Sequence, residues 1–266
     1  MKMTDNSTKV ESLSYAETPD ALSIRIRAHK EYSNFSLEDW FGKNISLREG
    51  DTILDLGCGS GNLFPAYLDK IGEKGTIVGI DQSAELLEKA GVLKSISSIV
   101  LLKLDINQPF PLIKESFDHV ISTFAIYYVE DPILVLEEIK RVLKNTGEIV
   151  LIGPTDKNAS ELYEFNKTVF GFGRDEKVVI RSNRIEKEFY PSATSLFKNV
   201  RFEKIPSKLI FPNKQEFMEY YMSTLLFEES ATKTGVKPTM TELLSQELVS
   251  TEISKEMVVL RGQKIV

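Results

Sequence analysis

The feature that most constrains this chain is the glycine-rich stretch from residue 51 to residue 81, DTILDLGCGSGNLFPAYLDKIGEKGTIVGID. A short apolar run leads into Asp55, and a helical pattern follows from Leu63. A second apolar run, residues 76–80, ends on Asp81. Between the first run and the helix stand three alternating glycines, Gly57, Gly59 and Gly61. The pattern predicts a strand, a glycine turn, a helix and a second strand.

This arrangement indicates a nucleoside site. Glycines at a strand-to-helix turn adopt positive φ without steric cost and let a ligand approach the backbone closely. The N-terminus of the following helix offers free N–H groups and the positive end of the helix dipole. An acidic residue about 20 positions later, at the end of the next strand, suits bidentate hydrogen bonding to ribose hydroxyls. Asp81 stands at that position.

The details distinguish this stretch from a dinucleotide fingerprint. The sixth position of G-x-G-x-x-G requires glycine, and Asn62 stands there. Asp55 lies two residues ahead of the first glycine, where a carboxylate suits the ammonium of an amino-acid-bearing nucleoside better than a pyrophosphate. At these residues the chain resembles the class I S-adenosylmethionine-dependent methyltransferases, whose first motif is matched by Asp55, the three glycines and Asp81.

The resemblance implies a Rossmann-like fold, S-adenosylmethionine as cofactor and a set of cofactor contacts. An acid at the end of the third strand accepts a hydrogen bond from the adenine amino group in this family, and Asp105 occupies that place. The predicted cofactor-binding residues are Tyr32, Asp55, Gly57, Cys58, Gly59, Gly61, Asp81, Gln82, Asp105, Ile106 and Thr123.

Composition narrows the classes of partner. The 266 residues carry a formal net charge of −6 without a basic stripe, which argues against nucleic acid as the main partner. The single cysteine, Cys58, cannot form an internal disulfide and fits a reducing compartment. No run of 18 apolar residues suggests a membrane span, and the polar first 14 residues are expected to fray. We therefore expect a soluble cytoplasmic protein. The sequence does not indicate its oligomeric state.

The lead-in to the first strand, residues 21–45, has a helical pattern that places Arg25, His29 and Tyr32 on one stripe. One interpretation is an ordinary helix in which Tyr32 packs in the core and Arg25 is exposed to solvent. The other is that the three side chains line a functional site. In many methyltransferases the segment before the first strand folds over the cofactor, and RIRAHKEYSNFSLEDW resembles the lead-in of a bacterial small-molecule subgroup. His29 is the candidate base. His29, His119 and Cys58 show no metal-ligand spacing, so no metal is predicted.

The remainder of the core alternates strands and helices. Strands are predicted at residues 99–104, 117–122 and 148–153, with a turn at 145–147. Ser83 and Asp131-Pro132 mark helix starts. This alternation predicts a parallel doubly wound sheet, whose ligands bind outside the carboxyl ends of the strands. Residues 123–128 lie at one such end; Tyr128 is a candidate catalytic residue, and one of Tyr127 and Tyr128 is expected to be a hydrophobic rim.

From residue 155 the alternation breaks. We predict a lead-in or lid over residues 1–48, a cofactor-binding core over 49–154, a helical cap insertion over 155–198, and edge strands with further cap helices over 199–266. Residues 200–211 and 256–264 are strand candidates. The resemblance predicts that they form an antiparallel pair at one sheet edge.

These features favour a methyltransferase that moves a methyl group to oxygen, nitrogen or carbon of a small molecule by in-line displacement. A nicotinamide-dependent oxidoreductase is the alternative enzyme, opposed by Asn62, by Asp55 and by the lack of a Tyr-x-x-x-Lys pair after the fourth strand. A binding module without catalysis is the third possibility. The acceptor itself cannot be read from the sequence.

Overall fold

A computed structural model describes residues 18–92 and 98–265 of the chain. Its centre is a seven-stranded mixed sheet in the order β3-β2-β1-β4-β5-β7-β6. The strands are β1 (Thr52–Leu56), β2 (Thr76–Asp81), β3 (Ile99–Lys103), β4 (Phe117–Thr123), β5 (Leu143–Pro154), β6 (Phe197–Ile210) and β7 (Glu252–Lys264). The expectation of fraying at residues 1–14 lies outside the described part.

Eleven α-helices surround the sheet in the described part of the chain. They are α1 (Pro19–Tyr32), α2 (Leu37–Asn44), α3 (Phe64–Ile71), α4 (Ala84–Ala90), α5 (Pro132–Val142), α6 (Ser160–Phe170), α7 (Glu176–Arg184), α8 (Tyr190–Leu196), α9 (Lys214–Met222), α10 (Leu225–Thr234) and α11 (Met240–Ser245). The predicted helix starts are confirmed. The Ser83 hydroxyl accepts the N–H of Leu86, and the Asp131 carboxylate accepts the N–H groups of Ile133 and Leu134.

The sheet confirms the predicted fold class. Strands β1 to β5 pair in parallel, so their carboxyl ends meet at one edge. β7 then pairs antiparallel with both β5 and β6. The late strands thus form the expected antiparallel pair, although both begin a few residues earlier than the apolar runs indicated.

Two local predictions are wrong. The predicted turn at residues 145–147 belongs to β5, which begins at Leu143; a register irregularity opposite Phe117 and His119 accommodates the extra residues. The predicted single lead-in helix is two helices, α1 and α2. Between them Ser33 forms a β-bridge with Leu209, and the Ser36 hydroxyl caps α2 by accepting the N–H of Asp39.

Three apolar clusters position the site. One lies on each face of the sheet, and the third joins α1, α6 and the α9–α11 segment beyond its carboxyl edge. Residues 185–196, predicted as part of the cap, place Ile185, Phe189 and Ala193 in the main core with α5. Helices α1, α6, α9, α10 and α11 thus form the third cluster, and α7 contacts the loop after β4 through Arg184. Among the described residues no helix is long and apolar enough to cross a membrane.

Candidate functional site

The glycine turn after β1 has the backbone that its sequence predicts. Gly57, Gly59 and Gly61 have φ of 73°, 55° and 73°, values that favour glycine. A Cβ on Gly57 would lie 2.1 Å from the Cβ of Ala125, in the loop after β4. The turn therefore fits closely against that loop, and α3 begins beyond it without a side-chain cap.

Asp55 lies beneath the turn as a buried carboxyl without a hydrogen-bond partner for its Oδ1 atom in the described part of the chain. Burial raises its pKa to about 7, the Tyr67 hydroxyl opposes that shift, and the Asp81 carboxylate adds to it. The Tyr67 hydroxyl approaches the carboxyl but makes no hydrogen bond of ordinary geometry. A buried oxygen of this kind is suited to a cationic ligand group.

Asp81, at the end of β2, ties the glycine turn to α4. Its Oδ2 accepts the N–H of Gly59 at 2.9 Å, and its Oδ1 accepts the N–H of Ser83 at 2.8 Å. Burial raises its pKa while these N–H groups lower it. Each carboxylate oxygen keeps a further lone pair, so ribose hydroxyls can still donate to it. Gln82 follows as an exposed side chain.

Asp105 lies in the loop after β3, exposed, with Ile106 half-buried against the main core. Its Oδ1 accepts two hydrogen bonds from Asn107, one from the backbone and one from the side-chain amide, both at 2.9 Å. The side-chain amide oxygen of Asn107, Oδ1, accepts the N–H of Glu130 at 2.7 Å. The loops after β3 and β4 are thereby joined above the carboxyl edge.

The loop after β4 contains a residue that the sequence did not single out. Phe124 has φ of 55°, a left-handed conformation that is uncommon for an aromatic residue, and its side chain is 39% exposed. Thr123 precedes it, half-buried, at the end of the strand. The next residue, Ala125, is the one whose Cβ occupies the space beside Gly57.

Tyr127 and Tyr128 pack on each other, with ring centroids 4.6 Å apart, but differ in exposure. Tyr127 is 8% exposed and packs against Gly153, where an added Cβ would meet its ring at 2.8 Å. Tyr128 is half-buried, and the Arg181 guanidinium of α7 lies 5.5 Å from its ring centroid. Tyr127 is thus part of the packed rim, and Tyr128 faces the cap.

Arg184 holds the loop after β4 in place, and the sequence analysis did not single it out. The side chain is 3% exposed, and its Nη1 donates to the carbonyl oxygens of Tyr127, at 2.9 Å, and Val129. Its Nε and Nη2 atoms donate to Glu188 at 3.0 and 2.8 Å. A π-helical turn over Ile185–Phe189 follows directly. A buried arginine on a polar helix has no local signature, so only the fold reveals it.

Helix α1 crosses the carboxyl edge from the glycine turn to β6. At its start, the Leu22 side chain lies 3.9 Å from where a Cβ on Gly59 would be, and Asp20 pairs with Lys89 of α4 at 3.6 Å. At its end, the ring of Tyr32 packs on Phe211 at 5.3 Å. Leu22 and Tyr32 are about 15 Å apart along the helix. The structure therefore does not bring Tyr32 to the glycine turn, and Leu22 lies there instead.

His29 lies between these two ends, with its ring 6.2 Å from that of Tyr220. The side chain is exposed, yet surrounding protein lowers its pKa to about 3, with further contributions from Lys255 and Arg25. The imidazole is neutral at pH 7 and is a weak base in the ligand-free protein.

Cys58 is the least suited of the predicted contacts. Its side chain is 9% exposed and points into the core, where a Cβ on Gly79 would meet Sγ at 2.8 Å. Burial raises its pKa, so the group is an inert thiol. Only its backbone remains near the ligand side. Among the described residues no group of three or more His, Cys, Asp or Glu side chains could hold a metal ion.

The residues present fit S-adenosylmethionine. Asp55 offers an unpartnered buried oxygen for an ammonium, and Asp81 and Asp105 offer carboxylates at the next two strand ends. Of the three glycines, Gly59 is the open one, with the Leu22 side chain 3.9 Å from an added Cβ. Fold and site together define a class I S-adenosylmethionine-dependent methyltransferase. The chain belongs to the methyltransferase-domain family, whose model matches residues 47–191.

Individual relatives agree with this class. The chain is 30% identical over 153 residues to a demethylmenaquinone methyltransferase from Bacillus licheniformis, a match covering 57% of this chain and 62% of that protein. It is 32% identical over 115 residues to the protein of the same name from Lactobacillus johnsonii, covering 42% and 47%. The chain thus spans about half the length of these curated relatives.

Solved structures share the fold. The YcgJ protein from Bacillus subtilis matches with a TM-score of 0.54 at 15% identity, over 86% of this chain and 98% of that one. A SAM-dependent O-methyltransferase from Thermotoga maritima matches with a TM-score of 0.51 at 15% identity, over 91% and 70%. At such identities the likeness establishes the architecture alone.

Proposed function

We propose that this protein catalyses methyl transfer from S-adenosylmethionine to a small molecule. The observation that carries the proposal is the unpartnered carboxyl oxygen of Asp55, buried beneath a glycine turn whose N–H at Gly59 is held by Asp81. An ammonium group satisfies that oxygen, whereas the pyrophosphate of a nicotinamide dinucleotide would be repelled by it. This favours the methyl donor over the oxidoreductase cofactor.

Each cofactor-binding side chain has a distinct role in the proposal. Asp55 pairs with the ammonium, Asp81 accepts hydrogen bonds from the ribose hydroxyls, and Asp105 accepts one from the adenine amino group. The bound cofactor supplies a methyl group on a positively charged sulfur with a good leaving group. The protein's contribution is then to align the acceptor for in-line displacement and to exclude water.

The acceptor side is formed by the lead-in helix and the cap. The neutral imidazole of His29 can accept a hydrogen bond from a hydroxyl or amine of the methyl acceptor. Tyr128 presents its ring and hydroxyl from the loop after β4, braced by Arg181. We assign both as the residues closest to the transferring group on the protein side, with His29 orienting the acceptor more than removing its proton.

A small acceptor is supported by two features. Cap helices cover the carboxyl edge of the sheet, and the curated relatives are named for demethylmenaquinone, a small molecule. The net charge of −6 does not favour a nucleic acid.

Cys58, buried and outside any disulfide, suits a reducing compartment such as the cytoplasm.

The proposal is tested by transfer of labelled methyl groups from S-adenosylmethionine to a panel of phenols, carboxylic acids and amines. Wild-type protein is expected to label at least one member. Asp55→Asn keeps the side-chain shape without the charge, so labelling should fall at least about tenfold. Asp69→Asn, on an exposed carboxylate of α3, is the matched control and should match wild type. Equal labelling by Asp55→Asn and wild type would remove Asp55 from the site.

A further inference from the structure

The side-chain ammonium of Lys255, on β7, makes one hydrogen bond among the described residues, and its partner is a tyrosine. Its Nζ donates to the Tyr220 hydroxyl at 3.4 Å, and no carboxylate in the described part of the chain forms an ion pair with it. Lys208, on the adjacent strand, differs in this respect, because its Nζ lies 3.0 Å from Glu252. Lys255 is also the less exposed of the two.

The position of Lys255 is at the ligand-binding edge of the sheet. It pairs with Ser207 of β6, and two residues later Met257 pairs with Pro154, the last residue of β5. A hollow of about 690 Å³ opens beside it. The charged lining of this hollow consists of the cations Lys157, Lys208 and Lys255 and the carboxylates Asp156 and Glu256. The Glu256 carboxylate accepts the Thr155 hydroxyl at 2.8 Å. The carboxyl ends of strands are where doubly wound sheets bind ligands.

The neighbours of Lys255 come from α1 and α9. Tyr220 is 3% exposed, and its ring contacts that of His29. Arg25 lies one turn before His29 on α1 and donates to the Ser223 carbonyl oxygen. Burial lowers the pKa of His29, and the positive charges of Lys255 and Arg25 lower it further.

We propose that Lys255, with Tyr220 and His29 beside it, binds an anionic oxygen of the methyl acceptor. The acceptor class is therefore a small molecule with a carboxylate or with a hydroxyl acidic enough to ionise. This assignment rests on the proposed methyltransferase function and adds the chemistry of its substrate. A partly buried ammonium beside a neutral imidazole and a phenol offers one charge and two further hydrogen-bonding groups to one oxygen.

The experiment compares matched anionic and neutral probes on protein saturated with S-adenosylhomocysteine. One arm uses 2-naphthoate against 2-naphthamide, and the other uses 4-nitrophenolate against 4-nitroanisole at about pH 8. Affinities are measured by calorimetry for wild type, Lys255→Met and the control Lys208→Met. Methionine keeps the length of the lysine stem without its charge.

We expect wild type to bind at least one anion about tenfold or more tightly than its neutral partner, the preference of one charge-assisted contact. Lys255→Met should lose that preference and Lys208→Met should keep it. The carboxylate and phenolate arms show which kind of oxyanion is taken.

Equal affinity for anion and neutral partner overturns the assignment, as does loss of the preference in Lys208→Met alone, or failure of every probe to bind. The same titrations record binding of S-adenosylhomocysteine. If it binds and the anions show no preference, only this inference fails; if it does not bind, the proposed function fails with it.

Discussion

At the scale of single residues, Asp55 is the group whose behaviour depends most on the ligand. Its carboxyl is 2% exposed and its pKa is raised to about 7, chiefly by burial. At pH values between the pKa of this carboxyl in the unfolded chain, near 4, and its pKa in the folded protein, the folded protein keeps a proton on Asp55 that the unfolded chain has lost. The ionised form therefore destabilises the ligand-free fold as pH rises through this range, and a cationic ligand offsets that cost.

The pH dependence of cofactor binding follows from this. An ammonium beside Asp55 favours its ionised form, so binding releases a proton wherever the free protein holds one. Affinity for S-adenosylmethionine should tighten from about pH 5.5 to about pH 7, below the range where an α-amino group loses its charge. Calorimetry in two buffers of different ionisation enthalpy measures the released proton. Asp55→Asn should bind more weakly and without that release; a flat profile in wild type would contradict the account.

Asp81 gives a second residue-scale prediction. Asp81→Ala removes an acceptor for ribose hydroxyls and also frees the N–H groups of Gly59 and Ser83. Two charge-assisted hydrogen bonds to the ligand are worth about 1.5–3 kcal/mol each, so Kd for S-adenosylhomocysteine should rise by at least about a hundredfold. Asp69→Ala is the control for loss of a nearby surface carboxylate. Unchanged affinity would mean that Asp81 only supports the turn.

Sequence-based prediction missed most at the scale of single residues. The strand-turn-helix-strand unit with Asp55, the glycines and Asp81 could be predicted because it depends on spacing within one short stretch; the cofactor roles of these residues remain predictions. The contact of Tyr32 with Phe211 could not be predicted, because the position of a side chain along α1 depends on where that helix crosses the sheet. Phe124 and Arg184 carry no local signal, and the contacts of Arg184 depend on a loop packed against it.

At the scale of elements, the loop after β4 is held by one side chain from α7. Arg184→Met would leave the carbonyl oxygens of Tyr127 and Val129 without their charged donor inside the core. Removing one partner of a buried charged network costs about 3 kcal/mol or more. The free energy of unfolding from urea titration should fall by that amount.

The matched control is Arg181→Met, one turn earlier on the same helix. Arg181 contacts the ring of Tyr128 and is half-buried, so its loss should cost less than about 1 kcal/mol. If both variants lose the same stability, Arg184 has no special role in holding the loop.

The elements themselves were largely predictable where their determinants are local. Apolar strands, the Ser83 and Asp131 caps, and the change of pattern at residue 155 all appear within short windows. The break between α1 and α2 was not, because it depends on Ser33 and Asn34 pairing with β6, far along the chain. Residues 185–196 were assigned to the cap because their polar pattern hides the few side chains that enter the core.

At the scale of the whole molecule, the proposed cofactor site lies on the parallel strands, and the proposed acceptor site lies on α1, the cap and the last strands. The glycine turn and the ends of β2, β3 and β4 lie on the core that the family model matches. Lys255 and Tyr220 lie beyond it, on β7 and α9. This division explains why sequence spacing identifies the cofactor while the acceptor depends on the folded arrangement of α1, the cap and the late strands.

The central claim is that the glycine turn binds S-adenosylmethionine. Calorimetric titration of the purified protein with S-adenosylmethionine, S-adenosylhomocysteine and NADH, in parallel, tests it most directly. The account predicts binding of the first two with Kd on the order of micromolar and no binding of NADH, because Asp55 favours an ammonium over a pyrophosphate. Binding of NADH alone would contradict this claim and would favour a nicotinamide-dependent oxidoreductase instead.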